Sequence, residues 1–182
     1  MLRVKDDIGF KTTWTIHRFK NDENGFIAES LRHGMSMAEA LRLFKENFVG
    51  SETWQHNLAL NEGIGEALDL IFGLGTPTAF DGTSGYLGVG DSATAADATQ
   101  TGLQAATNKS YVVFDDNYPA RTAQTVEVRS TFGSAVGNHG WQEFTIVNGD
   151  EDTHKHLNRK VQDKGTKASE ETWTLSLSIT LA

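Results

Sequence analysis

The segment Thr172–Leu181 constrains the fold more than any other part of the sequence, because apolar and hydroxyl side chains alternate along its whole length. The apolar set is Trp173, Leu175, Leu177, Ile179 and Leu181. Successive side chains of a β-strand point to opposite faces of the sheet, so a one-residue shift of register would move the entire apolar set into water. The segment therefore predicts a strand whose apolar face is buried in a core.

Other segments have the alternation, or the β-branched and aromatic composition, that is typical of strands. They are Phe10–Phe19, 85–90, 110–114, Thr125–Phe132 and 141–147. In Thr125–Phe132 the apolar Val126 and Val128 share one face, and Arg129 lies on the other, polar face. Several short strands separated by turn residues predict an antiparallel β-sandwich or a jelly-roll-like barrel.

The first part of the chain adds helix signals. Ser36 followed by Glu39 forms a capping box. Behind it, apolar residues at helical spacing predict a helix of about three turns that ends near Gly50. The apolar residues of this stripe are Met37, Leu41, Phe44 and Phe48. Upstream, the turn at Asn24 and Gly25 predicts that 26–30 returns as the hairpin partner of the first strand.

A second helix is expected over Asn61–Phe72, because Ile64, Leu68, Ile71 and Phe72 share one side of it. Gly63 and Gly65 lie in its first turns, where each costs about 1 kcal/mol relative to alanine. We expect their small size to be needed for close packing against another backbone.

These signals together predict a mainly β fold with two short helices. Residues 1–56 are expected to form an N-terminal arm, a β-hairpin and a helix, and residues 57–182 a helix plus the β-sandwich domain.

Composition narrows the classes of partner. The chain has 16 Lys and Arg against 24 Asp and Glu, a net charge of −8, which disfavours binding to nucleic acid. It has no cysteine, which excludes disulfides, thiolate metal sites and cysteine nucleophiles. No apolar stretch approaches the length of a membrane span, which is about 20 residues. Acidic residues near the N-terminus stand where a signal peptide would have its apolar part. We expect a protein made in the cytoplasm, with no membrane partner.

The sequence offers little that resembles a catalytic site. Three carboxylates and two imidazoles cluster in 149–156, which suggests a divalent cation site or, as we prefer, a solvated turn. Asp115 and Asp116 are an unspecific carboxylate pair, better interpreted as a solvated strand end. Gly88 and Gly90 do not continue into a phosphate-binding motif and are interpreted as turn glycines. We expect no catalytic residue, no cofactor and no metal.

The tryptophans divide into two groups. Trp173 shares a strand face with aliphatic residues and is expected in the core. Trp14 and Trp54 lie in the less regular first half and are expected on a partner surface. Exposed aromatic residues would also suit a carbohydrate-binding module.

The order of several short motifs resembles a widespread group of small tailed-bacteriophage virion proteins. It is also similar to the attachment domain at the start of some phage tail fibres. The resemblance covers roughly residues 57–182. Its motifs are Asn57-Leu58, Asn61-Glu62-Gly63-Ile64, Tyr86-Leu87-Gly88-Val89-Gly90-Asp91, Thr101-Gly102-Leu103, the strand Thr125–Phe132, Trp141-Gln142-Glu143, Leu157-Asn158-Arg159 and Lys167.

The resemblance implies a non-enzymatic structural subunit located in the virion. Because the chain is short and acidic, the preferred role is a capsid decoration (cement) subunit that binds the major capsid protein or other virion proteins. A homo-oligomer is expected, with a trimer preferred. A tail, collar or fibre-attachment component is the alternative, and a carbohydrate-binding module or a hydrolase is more distant.

Two sets of residues are expected to serve this role. The predicted interface set is Met1, Leu2, Val4, Ile8, Phe10, Trp14 and Trp54, with the N-terminal segment adding a strand to a neighbour's sheet. The predicted structural set is Gly63, Gly88, Gly90, Glu143, Arg159 and Trp173. Glu143 and Arg159 are expected to pair and to fix a loop against the sheet. Breaking such a pair would cost about 3–5 kcal/mol if it is buried.

Overall fold

A computed structural model describes residues 9–181 of the chain. Within this range the chain forms ten strands and three helices. The strands are β1 Phe10–Phe19, β2 Phe48–Gln55, β3 Leu58–Ala59, β4 Tyr86–Gly90, β5 Lys109–Val113, β6 Ala120–Thr122, β7 Thr125–Phe132, β8 Glu143–Val147, β9 Asn158–Val161 and β10 Thr172–Leu181. The helices are α1 Phe26–Arg32, α2 Met37–Leu43 and α3 Asn61–Phe72. None of the three combines the length and hydrophobicity that crossing a bilayer requires.

The strands form two antiparallel five-stranded sheets, as a β-sandwich requires. The first sheet has the order β2-β1-β10-β7-β6, and the second has the order β3-β9-β8-β4-β5. The mainly β prediction is confirmed. In the first sheet, β1 pairs with β10 along its whole length, from Phe10 opposite Leu181 to Phe19 opposite Thr172. Strands β1 and β2 therefore share one sheet with β10, β7 and β6 from the later part of the chain.

The main core lies between the two sheets. Trp173, Leu175 and Leu177 of β10 are buried in it, which confirms the predicted register of this strand. The tryptophan ring of Trp141 packs edge-on against Trp173, with 4.9 Å between ring centroids.

Trp14 and Trp54 also belong to this core, with exposed fractions of 0% and 7%. Their rings stack with 6.4 Å between centroids, because the two residues lie opposite each other in the β1–β2 pair. The prediction that they serve a partner surface is wrong. Since all four tryptophans are buried, none of them provides an exposed platform for sugar stacking.

The hydroxyl face of β10 is covered as well. A second, smaller core contains Phe19, Ile27, Leu31 and Ala40, and brings α1 and α2 onto the outer side of the first sheet. As a result Thr172 is fully buried and donates its hydroxyl to Asp22 at 2.6 Å.

Two predictions for the first part of the chain are wrong. The segment predicted as a hairpin partner is helix α1, because the Asp22 carboxylate accepts the first free backbone N–H groups, from Ile27 at 2.9 Å and Ala28 at 3.0 Å. The capping box of Ser36 is present, but α2 ends at Leu43 and Phe48 begins strand β2.

Helix α3 has the predicted bounds. Gly63 packs against the backbone of the two residues that precede β9. A Cβ at this position would lie 2.3 Å from Leu157 Cα and 2.4 Å from the His156 carbonyl oxygen. A side chain cannot be accommodated there, as predicted. Gly65 differs, since a Cβ at this position would meet nothing within 4 Å.

Candidate functional site

Helix α3 lies against the sandwich with its acidic side facing inward. The Glu62 carboxylate accepts the backbone N–H of His156 at 3.0 Å. The Glu66 carboxylate accepts the backbone N–H of Thr78 at 2.7 Å and the side-chain amide of Asn148 at 2.9 Å. These contacts fix the rotation of the helix, so its apolar side is left partly exposed, facing solvent and the groove beside the helix rather than the sandwich core.

We call this apolar side the α3 face, formed by Ile64, Leu68, Ile71 and Phe72. Ile71 and Phe72 are 71% and 69% exposed, and Ile64 and Leu68 are about half exposed. Most amphipathic helices bury such a stripe. An exposed apolar patch of this kind is characteristic of an interaction surface.

An apolar groove runs beside the α3 face, between α3 and the end of the β1–β10 pair. It consists of two adjoining hollows of about 120 and 460 Å³. Both hollows share the lining residues Phe10, Ala67, Ile71, Leu157 and Ile179. Few polar atoms line it, so the groove is suited to an apolar occupant.

Phe10 is the predicted interface residue that this surface includes. It is 60% exposed and lies at the rim of the groove. Met1, Leu2, Val4 and Ile8, which were predicted with it, lie outside the described residues. The α3 face was not predicted as an interface. The sequence signal for it is that Glu62 and Glu66 lie on the opposite side of the helix, where they accept hydrogen bonds from the protein body.

Glu143 and Arg159 form the predicted ion pair, and both side chains are fully buried. Arg159 Nε and Nη2 each lie 2.7 Å from Glu143 Oε2. The same carboxylate accepts the backbone N–H groups of Gln104 at 2.8 Å and Ala105 at 2.7 Å. The pair therefore holds the long loop between β4 and β5 against the second sheet.

Gly88 and Gly90 are within strand β4, so their interpretation as turn glycines is wrong. A Cβ at Gly90 would lie 2.4 Å from Glu143 Oε1, and one at Gly88 would lie 2.6 Å from the Tyr111 ring. Gly90 thus leaves room for the buried carboxylate, and Gly88 for the aromatic ring.

The acidic residues and histidines that cluster in 149–156 lie in different environments in the structure. Asp152 accepts hydrogen bonds from Lys109 Nζ and Tyr111 Oη. Burial acts to raise the pKa of Asp152, but these two bonds outweigh it and the pKa is lowered. His156 is fully buried, with Nδ1 3.0 Å from Thr145 Oγ1, and burial lowers its pKa to about 4.

The preferred interpretation of this cluster as a solvated turn is therefore wrong for His156, which is fully buried, whereas Asp152 lies in a turn and is 34% exposed. His154 Nε2 lies 3.6 Å from Asp150 Oδ1, but across residues 9–181 no group of three or more His, Cys, Asp or Glu side chains could hold a metal ion.

A second buried ion pair joins Asp115 and Arg129, with 2.6 Å between Asp115 Oδ2 and Arg129 Nε. Asp115 also accepts the backbone N–H and the hydroxyl of Thr131, at 2.9 and 2.7 Å. Asp115 is not a solvated strand end, and Arg129 does not face solvent, because α1 covers this side of β7. Asp116, its neighbour, is exposed and contacts His33.

Lys167 is also buried, which its position in a loop did not predict. Its Nζ donates to the Gly133 carbonyl at 2.8 Å and to Asn138 Oδ1 at 2.7 Å, and burial lowers its pKa to about 8.

Comparison of the chain with protein-family models, with curated proteins and with solved structures finds no match in any of the three.

Proposed function

We propose that the protein is a non-enzymatic structural subunit of a bacteriophage virion, and that it decorates and stabilises an assembled capsid. The observation that carries this proposal is the exposed apolar surface of the α3 face and the adjoining groove, located at one end of a tightly packed sandwich. The order of motifs along 57–182, which resembles small virion proteins, supplies the biological setting.

The state of the buried charged groups supports a structural role. The carboxylates of Asp115 and Glu143 are saturated by arginine and by backbone N–H groups. A general acid or base must exchange protons with a substrate and needs a site within reach of it. These groups instead connect segments of the frame to one another.

The surface offers a physical mechanism for stabilising a particle. Burial of apolar area contributes about 25 cal/mol per Å², and a contact repeated over a lattice of subunits acts many times. The groove would hold an apolar segment of the shell. The N-terminal segment 1–8 would add a strand to the sheet edge of a neighbouring subunit, and a trimer is the preferred assembly.

The test uses particles of the encoding phage that are assembled without this protein, to which purified chain is added back. We expect the full chain to bind and to raise the temperature at which the particles release their contents. Phe10→Ser should weaken binding at least 10-fold. Leu43→Ser is the matched control, because Leu43 is a similarly exposed apolar residue (53%) on the distant helix α2.

A truncated chain without residues 1–9 should fold and bind particles more weakly. If it binds as tightly as the full chain, the arm has no role in attachment. If the full chain does not bind particles at all, the proposed function is wrong. A particle reconstruction that places the density on the tail or collar would favour the tail component over the decoration subunit.

A further inference from the structure

We propose that the α3 face is a self-association surface, and that its occupant is helix α3 of a second copy of this chain. This proposal deepens the proposed function by naming the partner of one part of the apolar surface. It is measured on protein free of particles, so it can fail while the decoration role stands.

The spacing of the α3 face is that of a helix-to-helix seam. Ile64, Leu68 and Ile71 follow one another at intervals of four and three residues, which is the alternation of the d and a positions of a heptad repeat. Asn61 occupies the preceding a position. Leucine at a with isoleucine at d favours assemblies of three or four helices over two.

Charge restricts where a second copy can bind. Each copy carries a net charge of −8, so two copies repel each other over most of their surfaces. The seam itself is uncharged. Its flanking positions are Gly65, Ala67 and Phe72, while the acids Glu62 and Glu66 are directed into the body of their own chain. The α3 face is thus a place where two acidic copies can meet without opposing carboxylates.

Gly65 gives an independent argument. Glycine weakens a helix, and at Gly63 the close approach of Leu157 explains it. At Gly65 nothing within 4 Å of the missing Cβ requires a glycine. A helix of another copy that approaches beside the seam would require the small residue at this position.

The exposed area is sufficient for such a contact. The half-exposed to largely exposed side chains Ile64, Leu68, Ile71 and Phe72 present on the order of several hundred Å² of apolar surface. A contact of this size is small, as in weak, concentration-dependent association, and it leaves the adjoining groove free for another occupant.

The test is sedimentation equilibrium of the full chain over a wide concentration range. We expect a mass above the 19.9 kDa of one copy. Ile71→Lys should weaken association at least 100-fold. Leu43→Lys is the matched control, because both residues lie in the last turn of a helix and both are more than half exposed. Both variants lower the net negative charge equally, so a general charge effect cannot distinguish them.

Gly65→Gln provides a second measurement. Glutamine is a good helix former, so the isolated chain should fold with an unchanged or higher melting temperature, whereas association should weaken at least 10-fold. The proposal is overturned by a full chain that sediments as one copy at every concentration, by an Ile71→Lys variant that associates like the parent, or by a Leu43→Lys variant that dissociates equally. Unchanged association of Gly65→Gln overturns it as well.

Discussion

The two buried ion pairs use the same chemistry in regions with different architecture. At the Asp115–Arg129 pair, the guanidinium makes the contact with a distant segment: Arg129 Nη2 donates to the carbonyl oxygens of Leu31 at 2.6 Å and Met35 at 3.1 Å, while Asp115 also accepts from Thr131 of β7. At the Glu143–Arg159 pair, the carboxylate holds the backbone of the distant segment, by accepting backbone N–H groups of the β4–β5 loop.

This difference follows from what each region leaves unsatisfied. The last carbonyls of a helix have no partner within the helix, and a cation suits them. Arg129 therefore fastens the end of α1 to β7. A loop without regular structure leaves N–H groups free, and an anion suits these. Glu143 therefore fastens the loop to β8. The first pair joins the end of α1 and the loop that carries Asp115 to strand β7, whereas the second holds the long β4–β5 loop against β8.

The comparison predicts the largest effect at Arg129. Arg129→Met leaves the Asp115 charge buried without its partner and also removes the donor to two carbonyls. We expect a loss of about 3–5 kcal/mol in the free energy of unfolding, measured by chemical denaturation. The double variant with Asp115→Asn should recover part of this loss. A loss below about 1 kcal/mol would contradict a role for this pair in global stability.

Glu143→Ala should have a smaller effect, about 3 kcal/mol, with a local signature. It leaves Arg159 with the side chain of Gln100 as its remaining partner, and it releases the loop amides. Hydrogen exchange at Gln104 and Ala105 should accelerate more than exchange in β7. An unchanged melting temperature would show that the pair does not stabilise the fold.

The smallest loss of stability is expected when the pH is lowered, and it comes from His156 in the second sheet's region. The imidazole of His156 has a pKa of about 4 in the folded chain against an ordinary value of 6.5, because it is buried. The unfolded chain therefore binds a proton that the folded chain does not bind between these pH values, so stability falls as the pH drops below 6.5. At pH 5 the loss attributable to His156 is about 2 kcal/mol.

The measurement is the difference in unfolding free energy between the parent and His156→Gln as the pH is lowered from 7 to 5. The parent should lose stability relative to the variant. His33→Gln is the control, because contacts with Asp116 and Glu29 raise the pKa of the exposed His33, which gives a contribution of the opposite sign. Parallel profiles for the parent and His156→Gln would contradict the prediction.

Local pattern predicted the elements in which apolar side chains recur on one face. The alternation in β10 and β7 and the apolar spacing in α3 reproduce the observed bounds of these elements, because each has one face against the main core or an exposed apolar stripe. The pair of Glu143 and Arg159 was also anticipated. Its role, however, depends on the amides of Gln104 and Ala105, which no local pattern connects to Glu143.

The failures arise where a distant contact overrides local preference. The β-prone segment after Gly25 becomes helix α1, since Asp22 provides acceptors for its N–H groups and is itself bound by Thr172, far along the chain. Phe48 shares a small core with α2, so its apolar spacing was informative about burial but not about secondary structure. Arg129 was placed on a polar face, because nothing near it in sequence indicates that α1 covers that face.

The pairing of Phe10 with Leu181 places both ends of the described chain side by side. Tension applied between these ends would peel β1 from β10 progressively, breaking one rung at a time, which is the direction in which a pair of antiparallel strands resists force least. The groove, by contrast, is lined by residues of both sheets, such as Ile179 of β10 and Ile146 of β8, so a load applied there acts on both sheets at once. As a connector between subunits, the chain should therefore resist a load applied through α3 and the groove better than a load applied between Phe10 and Leu181.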